Sequence, residues 1–108
     1  MIKKKIIKLN SNRWDKNKLF AKGTWGTNDA DLIRIFASRV VDLFHIKMKD
    51  LGINAQWVPG DKILNIFSDE LGEFPNIRKQ DINKAIKDAY SEVKLETLDI
   101  IQEEDLDT

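Results

Sequence analysis

The chain has no cysteine, a single histidine and no long apolar run. Without cysteine there are no disulfides, thiolate metal sites or cysteine nucleophiles, and a reducing compartment fits. His45, the one histidine, has no serine or cysteine nucleophile beside it in any recognisable motif. It is read as a core-edge histidine held by one hydrogen bond. Lys3, Lys4 and Lys5 open the chain as the basic region of a signal peptide does. The apolar run then fails, because Ile6 and Ile7 are followed by Lys8 and Asn10. No stretch approaches the ~18 apolar residues of a membrane span. These absences point to a soluble cytoplasmic protein with no membrane association. Net charge of one sign is also missing: 18 basic residues balance 18 acidic ones. A domain built mainly for DNA affinity is usually basic overall, so neutrality opposes strong nonspecific binding.

What is present is the composition of a globular domain. A chain of 108 residues, 42% hydrophobic and 33% charged, is expected to form one domain with a buried core. The charge is unevenly placed. Residues 1–22 hold eight Lys or Arg against Asp15, and residues 92–108 hold seven acids against Lys94. Either the two ends attract each other, or the basic end faces a polyanion while the acidic end stays solvated. The division expected is a basic, aromatic-containing arm over 1–27, a helical domain over 28–101 and an acidic tail over 102–108.

Residues 1–9 suit an edge strand whose lysines discourage pairing with other chains. Residues 10–27 read as a loop, broken by Gly23 and Gly26. A first long helix is expected over 29–51. Leu32, Ile33, Phe36, Val40, Leu43, Phe44, Met48 and Leu51 recur at three- and four-residue steps. Thr27 or Asn28 can cap it, Asp29 and Asp31 suit its positive end, and Gly52 can close it in the left-handed conformation with Ile53 making the apolar contact. Residues 53–58 form a short strand bounded by Pro59-Gly60. A second helix is expected over 61–71, burying Ile63, Leu64, Phe67 and Leu71. After a turn at 72–76, a third helix is expected over 79–93, with Ile82, Ala85, Ile86, Ala89, Tyr90 and Val93 along one side. Its cap would be Arg78, a poor one, with Ile77 packed back onto Ile82. Residues 94–101 alternate enough for a final strand.

This order predicts an α+β, mainly helical domain with a winged-helix-like or helix-turn-helix core and an N-terminal basic arm or strand. Helix–strand–helix–helix–strand is the element order of a winged-helix domain, although no glycine follows Val93 to make a wing. Leu32, Phe36, Val40, Phe44, Leu64, Phe67, Ile82 and Ile86 should form the centre.

Two stretches carry chemistry suited to nucleic acid. In the third helix, Lys79, Lys84 and Lys87 can meet phosphates, and Gln80 and Asn83 can reach base edges, where amides pair well with adenine. Asp81 and Asp88 on the flanks oppose phosphate. In the arm, Arg13, Lys16, Lys18 and Lys22 are interleaved with Trp14, Phe20 and Trp25. They either grip nucleic acid or keep a core-covering loop soluble. The preferred function is a small DNA-binding regulator or accessory protein acting on double-stranded DNA, as a homodimer, because one short helix reads few bases. The alternative is a non-enzymatic interaction module, an adaptor or inhibitor that blocks another protein, with Trp14, Trp25 and Trp57 as anchors. An enzyme is the least favoured class, and no metal or other cofactor is expected. Asp69, Glu70 and Glu73 lack the spacing of a calcium loop. Gly23-Thr24-Trp25-Gly26-Thr27 lacks the lysine of a phosphate-binding loop, and Asp29 and Asp31 would repel an anion there.

Overall fold

The computed structural model describes residues 3–8, 19–58, 63–68, 73–74 and 76–106. They form an α+β fold, mostly helical, in the order β1 (Lys4–Lys8), α1 (Lys22–Trp25), α2 (Ala30–Asp50), β2 (Asn54–Val58), β3 (Ile63–Phe67) and α3 (Lys79–Leu106). The strands make one antiparallel sheet in the spatial order β1-β3-β2. Lys4 pairs with Phe67 and Lys8 with Ile63 across one ladder, Asn54 with Phe67 and Val58 with Ile63 across the other. Beyond the ladder, Ser68 N–H donates to the Lys3 carbonyl at 2.9 Å and Lys3 N–H donates to Ser68 Oγ, also at 2.9 Å.

Helix α2 forms where its periodicity places it. Ile33, Phe36, Ala37, Val40, Phe44 and Met48 are buried along one side. The cap is Asp29 and not Thr27 or Asn28: its carboxylate accepts from the backbone N–H of Asp31 and Leu32 at 2.9 and 3.3 Å. Thr27 helps one step earlier, its hydroxyl accepting from Asp29 N–H. At the other end Gly52 N–H donates to the Lys49 carbonyl and Ile53 N–H to the Met48 carbonyl, both at 2.9 Å, with Gly52 at φ +78°. That pair of bonds is a Schellman closure. It turns the chain directly into β2, with Ile53 buried beneath it.

Lys22–Trp25 is a short helix inside the stretch read as loop, and two further expectations are overturned. Residues 63–67 are a strand, not part of a second helix. A short apolar run bounded by Pro59-Gly60 and Gly72 fits either period, and the β-branched and aromatic side chains of Ile63, Ile66 and Phe67 favour the pleated form. β2 and β3, consecutive in the chain, pair antiparallel. Residues 94–101 are helix, not strand: α3 continues unbroken to Leu106. No Gly or Pro interrupts it after Val93, and Thr97 extends the buried side already occupied by Ile82, Ala85, Ile86, Ala89 and Val93. Within 61–94 the described elements are therefore a strand and a helix rather than two helices.

The helices lie on one face of the sheet, and a single core joins them. Phe36, Val40 and Phe44 of α2, Leu64 and Ile66 of β3, and Ile82 and Ile86 of α3 are all buried in it. Leu32 is only partly buried. Phe67 is half-buried, because strand geometry alternates faces and sends it to the side opposite Leu64 and Ile66. Leu19, Trp25, Ile53 and Trp57 are core residues that the helix pattern did not nominate.

Candidate nucleic-acid interface

The N-terminal half of α3 separates its side chains cleanly. Ile82, Ala85, Ile86 and Ala89 are buried, while Lys79, Gln80, Asn83, Lys84, Lys87 and Ser91 are all exposed. At about 100° per residue the exposed set shares one side of the helix, and the core holds the other. The start is fixed by Arg78, whose carbonyl accepts from Asp81 and Ile82 N–H at 3.0 and 3.3 Å. Ile77, just before it, packs against the core.

Four cations, Arg78, Lys79, Lys84 and Lys87, stand here with two carboxylates. Arg78 Nε lies 3.5 Å from Asp81, and Lys84 Nζ lies 2.8 Å from Asp88. The hydrogen bond and charge of Asp88 raise the Lys84 pKa, and the hydrogen bond to Lys84 lowers that of Asp88. Lys84 is exposed and Asp88 only partly covered, so water screens the pair and a phosphate can compete for Lys84. Lys79 and Lys87 make no ion pair among the described residues.

The other nominated residues fall elsewhere. Arg13, Trp14, Lys16 and Lys18 lie outside the described residues, as do Asp69, Glu70 and the Lys22 side chain. Trp25 and Trp57 are 1% and 2% exposed, so neither offers a surface to a partner. Trp25 is a structural clamp. Its ring lies 5.6 Å from Phe36 and 5.5 Å from Tyr90, and its indole N–H donates to the Leu19 carbonyl. Lys94 caps the arrangement, with Nζ 5.6 Å from the Trp25 ring and donating to the Thr24 carbonyl, and its burial lowers its pKa. Trp57 packs edge-on against Phe44 at 5.3 Å.

His45 does what the sequence suggested. Its Nε2 accepts the backbone N–H of Trp57 at 2.8 Å, tying α2 to the outer edge of β2. Partial burial lowers its pKa, against a smaller upward pull from Asp42. It borders an open cavity of about 570 Å³ together with Lys49, Ile53 and Asn54. Among the described residues no three His, Cys, Asp or Glu side chains converge to hold a metal. Nor is any helix among them long and apolar enough to cross a membrane. Comparison with known families, curated proteins and solved structures gives no match for this chain.

Proposed function

We propose that this protein is a small, non-enzymatic DNA-binding domain, a regulator or accessory factor, and that the exposed side of α3 is its contact surface. One observation carries the reading: Lys79, Gln80, Asn83, Lys84 and Lys87 are exposed together on a helix whose opposite side is anchored in the core. A helix about 10–12 Å across fits a major groove about 12 Å wide. Lys79, Lys84 and Lys87 then contact phosphates, and Gln80 and Asn83 face base edges. The docking differs from that of a helix-turn-helix, since a strand precedes α3. Packing against α2 holds the helix instead.

The charge-reversal variant Lys84→Glu with Lys87→Glu tests this. Three phosphate contacts correspond to a salt slope of about −2.7 for duplex binding. The double variant should abolish binding at low salt while its melting temperature stays near that of the wild type. Unchanged binding by a folded variant would refute the assignment.

A second reading, a protein-interaction module, draws on a different surface. Ile35, Ile46 and Leu95 are 51%, 55% and 67% exposed. A groove lined by Arg39, Leu43, Ile46, Val93 and Glu96 runs between α2 and α3. Exposed apolar side chains beside such a groove suit a partner helix, including one from a second copy of this chain.

A further inference from the structure

The sheet has a second face, turned away from the helices. Alternation along each strand sends Ile7, Ala55, Trp57, Leu64 and Ile66 toward the core. The residues between them stand on the opposite face, and the strand registers align them in rows. One row reads Lys4, Phe67, Asn54, the next Ile6, Asn65, Gln56, and the last begins Lys8, Ile63. Lys4, Lys8, Asn54 and Gln56 are exposed, Ile6 is 54% exposed, and the central Ile63, Asn65 and Phe67 are half-buried.

The chemistry of these rows is one-sided. Lys4 and Lys8 are the cations of this face, the strands contribute no Asp or Glu to it, and Lys5, opposite Ile66, belongs to the other side. Lysines on an edge strand discourage edge-to-edge pairing, which explains their place on β1. It does not explain a phenyl ring and three amides set between them and the far edge. A surface with cations along one border, a ring in the middle and amides beside it complements a polyanion whose bases are uncovered. A duplex hides its base faces, so it would use only the lysines. An unpaired strand would use all three groups, and the open face of a sheet can take two or three bases.

We propose that this open face binds single-stranded nucleic acid, with Lys4 and Lys8 on backbone phosphates, Phe67 stacked on one base, and Asn54, Gln56 and Asn65 at base edges. The site is separate from α3 and does not depend on the duplex-binding role given to that helix.

The test is an anisotropy titration of the full chain with fluorescein-labelled oligothymidylate, alongside a labelled duplex. Lys4→Glu with Lys8→Glu removes the phosphate contacts. Phe67→Leu keeps apolar volume and removes the ring, and thermal melts confirm that both variants fold. The wild type should bind the single strand in a salt-sensitive way. Each sheet variant should weaken that binding about fivefold or more, the low end expected for loss of one stacked base. Lys84→Glu with Lys87→Glu should leave it within twofold. The site is refuted if the wild type ignores the single strand at low salt, or if folded sheet variants bind it as well as the wild type does. Loss of single-strand binding only in the α3 variant would also refute it, by assigning both ligands to the helix. Failure of the duplex arm alone would refute the role of α3 and leave the sheet site standing.

Discussion

At the scale of single residues, His45 shows how one side chain serves two elements. As an acceptor for Trp57 N–H its Nε2 must be unprotonated, and partial burial holds its pKa below the ordinary value. The unfolded chain therefore takes up the proton first as pH falls. The stabilising bond is fully present above the unfolded pKa of about 6.5 and is lost as pH drops from there through the lower folded value. His45→Leu leaves the Trp57 N–H without its acceptor and should cost about 1 kcal/mol near neutral pH. Thermal melts between about pH 7.5 and pH 5.5 should fall more steeply for the wild type than for the variant. Parallel curves would show that His45 does not report on folding. Trp25 and Trp57 sit at breaks in the helical pattern, Trp25 beside glycines and Trp57 before Pro59-Gly60. Sequence leaves such residues equally suited to surface or core, and only the three-dimensional closure of α1 and β2 onto α2 buries them. Trp57 pays a polar cost there, since its indole N–H is buried with no hydrogen-bond partner in the described structure.

At the scale of elements, long periodic segments were legible and short ones were not. Helix α2 follows from side chains recurring over 21 residues, and its closing glycine from the position of Gly52. Since Gly52 has φ +78° and open space around the position of a Cβ, Gly52→Ala is a backbone effect with no clash. It should destabilise the protein by about 1 kcal/mol and lower the melting temperature by about 4–8 °C. An unchanged melt would mean that the closure adds nothing to stability. The stretch 63–67 misled because Ile63, Leu64 and Phe67 fit a helical face as well as a strand. Deciding between them needs β1, whose pairing with β3 is a long-range contact that no local window contains. The reading of 94–101 failed for the opposite reason. Local alternation suggested a strand, while the uninterrupted helix before it and the buried Thr97 carry α3 onward. The exposed residues of α3 were legible because exposure there depends only on helical phase. The outer face of the sheet was hidden until 63–67 became a strand, since that change alone brings Phe67 and Asn65 beside Lys4 and Ile6.

At the scale of the whole molecule, charge is balanced in sum and divided in space. Basic residues dominate the described start of the chain at Lys3, Lys4, Lys5 and Lys8, and in the N-terminal half of α3 Lys79, Lys84 and Lys87 stand against Asp81, Asp88 and Glu92. Carboxylates of the same helix turn instead to α2, where Glu92 meets Lys47 at 3.0 Å and Glu96 meets Arg39 at 2.8 Å. These pairs are largely exposed and contribute little stability. Their effect is to occupy acids that would otherwise oppose a polyanion. A neutral protein with two local basic surfaces should bind nucleic acid weakly at physiological salt and more tightly as salt is lowered.

Backbone amide chemical-shift mapping by NMR would locate the contact proposed between DNA and the exposed side of α3. A short duplex would be titrated into the isotope-labelled chain at low salt. Shift changes should cluster at Lys79, Gln80, Asn83, Lys84, Lys87 and Ser91 and reverse when salt is added. No shift changes at low salt, or changes confined to surfaces away from α3, would contradict the proposed contact.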